Sequence, residues 1–353
     1  MIELVEKTDV WTYLRSCNKP IVMYGTGNGA DKIFSVFDKY GITVSDIFMS
    51  DTFYRGDREF HGYKLLRYQD ILDKYDDCVI VLAFAIFRRD MLEYIREISE
   101  KYEVLAPCVP VFGDDYFSIE TLDKYASEIE ETYKLLADEQ SRLVFRNSLE
   151  YRISGKIKYL FDCESERDEV FQNIIKLDEH ETYVDLGAYR GDTVEEFLLM
   201  THGLYDYIYA LEPDIKNYQK LLENMGSLDN AEFINKASWS DKRVVNFEGG
   251  GGRNSNITGN GETAVHTTDV DSVLGGRPAT YIKMDVEGAE AETLEGLKGT
   301  LMEYKPKLAI SAYHRTGDIF TLPLLVKKLN PEYKIFLRHH PYIPDWETNI
   351  YCC

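Results

Sequence analysis

The chain has 353 residues, 44% of them apolar and 13% aromatic, and a formal net charge of -21. At roughly 150 residues per domain that length predicts two globular domains, and the composition excludes a disordered chain. So negative a surface repels phosphate backbones and anionic lipid, so neither nucleic acid nor a membrane surface is the expected partner; a local basic pocket for an anionic substrate remains compatible with it. The six cysteines form no C-x-x-C pair and read as reduced thiols, with the adjacent Cys352 and Cys353 as the candidates for oxidation or metal binding. No basic leader followed by an apolar run is present, and no stretch reaches the roughly 18 apolar residues of a membrane span. The expected location is cytoplasmic.

The chain opens with an α/β pattern. Residues 20–24 predict a short buried strand, followed at once by Gly25-Thr-Gly-Asn-Gly-Ala30 and by a helix carrying Ile33, Phe34 and Phe37 on one face. Strands at 44–49 and 78–84, a helix at 89–101 and a short strand at 103–106 complete a small Rossmann-like α/β domain over 1–114. Gly25, Gly27 and Ala30 fit the G-x-G-x-x-G/A pattern, and Asp51 falls near the end of the second strand, where an acid can bond a ribose. A nucleotide- or sugar-nucleotide-dependent enzyme is one reading of this loop. The other, which the shortness of the domain favours, is a degenerate domain that shapes the acceptor site or a homo-oligomer. Residues 115–180 predict a helical connector, with helices at 119–136, about 138–149 and 166–175.

From 181 to 353 a second α/β pattern begins. Strands at 182–186, 207–211 and 231–235, separated by helices at 192–200 and 214–225, make one mononucleotide-binding half. Its first loop is Asp185-Leu-Gly187-Ala188-Tyr-Arg-Gly191-Asp192-Thr193, which has no pyrophosphate-cradling G-x-G. That suits a cofactor without phosphate, S-adenosylmethionine: the glycines allow close backbone approach, and Asp185 is a candidate partner for the ammonium. Glu212 ends the second strand, where a carboxylate accepts both ribose hydroxyls, and Asp214 follows it. Ser238, after the third strand, is the candidate for base contacts, with Trp239 either on the adenine ring or in the core. Residues 249–261 are rich in Gly, Asn and Ser and read either as a loop reaching over the active site or as a plain hairpin tip. The fourth strand, 280–284, runs into Asp285-Val-Glu287-Gly-Ala-Glu290. Asp285 is placed near the methionine end of the cofactor, and Glu287 and Glu290 fall in the first turns of the next helix, with Glu290 as a cap. A fifth strand at 307–312 leads into Tyr313-His314-Arg315. Strands at 333–337 and 349–352 complete a seven-stranded, mostly parallel sheet.

The segments VDLGAYRGDT (184–193), YALEPD (209–214), TTDVDSVL (267–274), YIKMDVEGAEAETLEG (281–296) and PKLAISAYH (306–314) resemble the FkbM family of class I methyltransferases. The resemblance covers about 181–340. It implies S-adenosylmethionine-dependent O-methyltransfer, often to sugar hydroxyls of polysaccharides, glycolipids or glycosylated metabolites. It also implies cofactor-binding roles for Asp185, Gly187, Gly191 and Glu212. Tyr189-Arg190 departs from the small or polar residues common there, and Arg190 is a candidate partner for the methionine carboxylate or an acidic substrate.

A sugar hydroxyl is a weak nucleophile, so a base is useful. His314, after the fifth strand on the ligand side, is the first candidate, with Asp285 and Glu287 as alternatives. Asp285, Glu287 and His314 are also a candidate set for Mg²⁺ or Mn²⁺, but their spacing is no recognised metal signature and no metal is expected. The expected acceptor is a saccharide or glycosylated small molecule. The competing readings are N-methylation or another small acceptor, the nucleotide enzyme above, and a non-catalytic scaffold.

Overall fold

The computed structural model describes residues 2–56, 58–111, 115–248, 256–257 and 263–353. The expected reach of 249–261 over the active site lies outside the described residues, apart from Asn256–Ile257.

The N-terminal sheet has six strands in the order 59–60, 63–67, 46–49, 21–24, 79–82, 103–105. All neighbours are parallel except the hairpin Glu59–Phe60 with Tyr63–Arg67. Central strands Ile21–Tyr24 and Val79–Leu82 are buried at every position, because helices cover both faces and a doubly covered strand is apolar throughout. Helix Arg89–Lys101 buries Leu92, Ile95 and Ile98 on one side. The strand Tyr63–Arg67 has no such signature: only Leu65 is buried, because it lies near the sheet edge. Helix Val10–Ser16, capped by Asp9 and anchored by buried Trp11, is a further element that the sequence pattern did not disclose.

The connector consists of helices. Ile119–Lys124 and Ala126–Leu135 break at Tyr125, and Glu139–Ser154 starts on an Asp138 cap and ends at Gly155. The long helix serves both halves. Its Val144, Phe145, Leu149 and Ile153 pack with the C-terminal core, while Tyr151 joins the core beneath the N-terminal sheet. It also shields the outer strand Ile335–His339: Leu337 N–H donates to Ser141 Oγ, and Arg338 pairs with Asp138 at 2.7 Å.

The C-terminal sheet has seven strands in the order 335–339, 348–352, 307–311, 281–284, 182–186, 207–211, 231–234. Thr348–Cys352 is antiparallel to both its neighbours; the others run parallel. The strand order reverses between Thr182–Leu186 and Tyr281–Met284, and a crevice opens at the carboxyl ends there. A separate small sheet joins 237–238, 263–268, 244–248 and 256–257. All six cysteines are free thiols. No described helix is long and apolar enough to cross a membrane.

Candidate active site

The glycine turn after Thr182–Leu186 is dictated by the chain's own packing. Gly187 has φ +83°, and a Cβ there would lie 1.9 Å from the Asp285 carbonyl oxygen. Gly191 has φ +94°, and its Cβ would meet the Met225 side chain at 2.6 Å. The loop therefore needs glycine to press against the neighbouring strand end and helix, whatever ligand lies above it. Gly187 N–H and Ala188 N–H both donate to the Leu211 carbonyl, at 3.0 and 2.9 Å, which ties the turn to the second strand. Gly187, Asp192 and Thr193 line the crevice; Ala188 and Gly191 stand behind it.

Asp185 is fully buried. It accepts from Thr193 Oγ1 at 2.5 Å, and its Oδ1 lies 3.3 Å from Lys283 Nζ. Strand register sets Lys283 directly opposite Asp185. Lys283 also donates to the Gly187 carbonyl at 2.9 Å. Burial raises the Asp185 carboxyl above its usual value in spite of the lysine, and Oδ1 makes no hydrogen bond. Asp185 thus anchors a buried ion pair under the loop instead of facing a ligand directly. Lys283 was missed because a lysine within Tyr-Ile-Lys-Met reads as a surface residue; the signal was its alignment with an acid on the adjacent strand.

Glu212 is 6% exposed and lines the crevice. Its two oxygens accept from Tyr189 N–H and Asp214 N–H, each at 2.9 Å. Burial pushes its pKa up to about 7 against those two donors. Asp214 does not reach the crevice: its carboxylate caps helix Ile215–Met225 by accepting from Lys216 and Asn217 N–H. Ser238 does line it, but its hydroxyl is paired at 2.9 Å with Thr293 Oγ1. Thr293 Oγ1 also donates to the Ser238 carbonyl, at 3.1 Å. Trp239 is not among the lining residues.

The third acidic strand end is built differently from the expectation. The helix begins at Glu290, and Glu287 stands in the preceding turn at φ +54°, a strained conformation for a residue with a side chain. His314 is 1% exposed. Its Nδ1 bonds Glu290 Oε1 at 2.8 Å, and its Nε2 stands 3.3 Å from Asp285 Oδ1 and 3.5 Å from Glu287 Oε2. Burial opposes the charged ring, but three carboxylates outweigh it and push its pKa up to about 10. These three carboxylates favour the protonated ring, the form that holds a proton rather than accepts one. Glu290 is a ligand of that ring as well as a cap for Val286 N–H. Burial raises Glu287 to about 8, with Asp285 and Glu290 adding to it and His314 opposing. Asp285 goes the other way: burial is overcome by Lys283 and His314, which hold its carboxyl below the usual range. One donor atom each from Asp285, Glu290 and His314 falls within 4.8 Å, a set that a cation could share. The charged imidazole stands among these acids as their cation.

Glu212, Asp285, Glu287 and His314 line a cavity of about 630 Å³, within the range of small-molecule sites. Its walls also include Tyr189, Asn217, Lys236 and Tyr313, and, outside the C-terminal sheet, Phe87, Arg89, Val111, Glu166 and Arg167. Arg167 bridges Glu196 at 2.9 Å and Glu347 at 3.3 Å. In the N-terminal glycine-rich turn, Gly27 faces open space, while Gly25 and Gly29 press against their own chain. A Cβ on Gly25 would meet the Phe84 ring at 2.5 Å, and one on Gly29 the Ala83 carbonyl at 2.4 Å.

A seven-stranded sheet of this order, with acids at three strand ends around a phosphate-free turn, defines an α/β methyltransferase that uses S-adenosylmethionine. The donor set fits that cofactor: Glu212 faces the crevice at the second strand end, and Asp285, held ionised by Lys283 and His314, offers negative charge for a sulfonium. Residues 185–344 match the family model of the methyltransferase FkbM domain. A crystal structure of methyltransferase FkbM from Methylobacillus flagellatus has a TM-score of 0.75 and 20% identity, covering 96% of this chain and 91% of that one. An rRNA methylase of Streptococcus thermophilus is similar over 52% of this chain and 90% of its own, at 17% identity and TM-score 0.34. A Streptococcus mutans protein in complex with SAH is similar over 53% and 97%, at 16% identity and TM-score 0.34. No curated protein matches the chain.

Proposed function

We propose that the chain is an O-methyltransferase for a hydroxyl of a saccharide or glycosylated small molecule, with Glu287 as general base. The observation that carries this is the Glu287 carboxyl, which lines the cavity with its pKa raised to about 8 beside a fixed imidazolium. S-adenosylmethionine, when bound, supplies the methyl group carried on its sulfonium sulfur and leaves as the neutral thioether S-adenosylhomocysteine. The chain's part is to hold the acceptor oxygen in line and take its proton. A positive sulfonium in this cavity favours the ionised form of Glu287 and makes it a competent base. Asp285, held ionised by Lys283 and His314, is the weaker proton acceptor. His314 positions Glu287 and balances its charge. Glu212 is assigned to the ribose hydroxyls, and the backbone beside Ser238 to the adenine. The saccharide acceptor rests on the family resemblance. We also assign 1–114, 115–180 and 181–353 as small Rossmann-like domain, connector and methyltransferase domain.

The test is incubation of the full chain with isotopically labelled S-adenosylmethionine and a panel of cell-wall glycans, glycosides and nucleotide sugars, with mass readout. Labelled methyl ether on a sugar supports the reading. Transfer confined to amines would replace it with N-methylation.

A further inference from the structure

The far wall of the cavity carries aromatic rings that the cofactor assignment does not use. Phe87 belongs to the loop after the N-terminal strand Val79–Leu82; Tyr342 and Trp346 belong to the loop between the last two strands of the C-terminal sheet. Phe87 stacks on Tyr342 with centroids 5.9 Å apart and planes 20° from parallel, and Tyr342 meets Trp346 at 6.1 Å. All three line the cavity, and Phe87 remains 58% exposed.

This wall is held at two points. Ile86 and Ile343 exchange backbone hydrogen bonds of 2.6 and 2.9 Å, which clamp the two loops together. Asp345, between Tyr342 and Trp346, is paired with Arg152 at 2.5 Å, both side chains 2% exposed. Arg152 also donates to the Thr316 and Ala312 carbonyls. A ring surface fixed this way loses little freedom when something lies on it.

The charge around it selects what can lie there. Seven carboxyl residues line the cavity against four lysines and arginines and the His314 imidazolium. Three of those four are engaged: Arg89 with Glu166, Arg167 with Glu196 and Glu347, Lys283 with Asp185. A phosphate or carboxylate on the acceptor would meet more acidic than basic side chains. Hydroxyl groups find acceptors in Glu287, Glu347 and Asn349, which share the cavity. An ammonium is favoured both by those acids and by the faces of Tyr342 and Trp346.

We propose that Phe87, Tyr342 and Trp346 form the acceptor subsite, a platform for the apolar face of a glycosyl ring that is uncharged or bears an amino group. The N-terminal domain contributes part of that platform, which gives the domain a task in acceptor binding without any nucleotide of its own. The inference rests on the saccharide reading above.

The experiment uses the full chain saturated with S-adenosylhomocysteine. Saturation-transfer NMR is recorded with methyl glucoside, methyl glucosaminide, glucose 1-phosphate and catechol. Transfer to one or both glycosides is expected, with glucose 1-phosphate and catechol weaker. The signal should fall roughly threefold to tenfold in Trp346→Ala and in Phe87→Ala, the equivalent of losing one aromatic contact. Phe87 is exposed, so its variant keeps the test open if Trp346→Ala fails to fold. Stronger transfer to glucose 1-phosphate or catechol, transfer unchanged in the variants, or none to either glycoside overturns the proposal. Failure of S-adenosylhomocysteine to bind the wild type is a different result, and it would remove the methyltransferase reading itself.

Discussion

Replacing Glu287 with Gln removes the proton acceptor while keeping its size and its place in the turn. A positioned base contributes about 10²–10⁴ in rate, so kcat should fall by that factor, the equivalent of roughly 3–5 kcal/mol of barrier. The structure also fixes a pH signature. Glu287 is neutral below its pKa of about 8 and ionised above it. Wild-type kcat/KM, which reports the free enzyme, should therefore climb about tenfold per pH unit up to that value and then level. His314, with a pKa of about 10, stays protonated across the climb and adds no second step within it. The Gln variant should be flat over the same range, with S-adenosylhomocysteine affinity near wild type by calorimetry. A variant that keeps the wild-type slope would place the base elsewhere and refute the assignment.

Glu212→Ala removes the only crevice-facing carboxylate of the second strand end and strands two backbone donors, Tyr189 N–H and Asp214 N–H. Calorimetry should show cofactor affinity reduced about 10- to 150-fold per lost charge-assisted bond; unchanged affinity would mean the ribose lies elsewhere. Gly187→Ala drives a methyl group to within 1.9 Å of the Asp285 carbonyl at a positive φ, and chemical denaturation should show a loss of more than about 3 kcal/mol. His314 is raised from 6.5 to about 10, so its stabilising charge is fully present below pH 6.5 and is lost as pH rises through 10. The melting-temperature gap between wild type and His314→Asn should be widest below pH 6.5 and close towards pH 10; a gap that widens with pH would contradict the imidazolium.

Both sheets were legible because their central strands are largely apolar, and doubly covered strands leave that imprint. The hairpin at 59–67 was not, since an edge strand burying only Leu65 has no periodicity to read. In the site, the residues at strand ends were found by their types and offsets, but their partners were not. Asp185 looked like a ligand contact until register set Lys283 against it. Asp214 looked like a second cofactor acid and is a helix cap. The carboxylates around His314 could not be read from the sequence, because Glu287 and Glu290 are over twenty residues away in it. The aromatic wall was invisible for the same reason: Phe87 and Tyr342 come together only through the pairing of Ile86 with Ile343.

The most direct test of the central claim is isothermal calorimetry of the full-length chain with S-adenosylhomocysteine. The account predicts saturable binding at one site per chain, weakened by Glu212→Ala and little changed by Glu287→Gln. No heat at high protein concentration would contradict it.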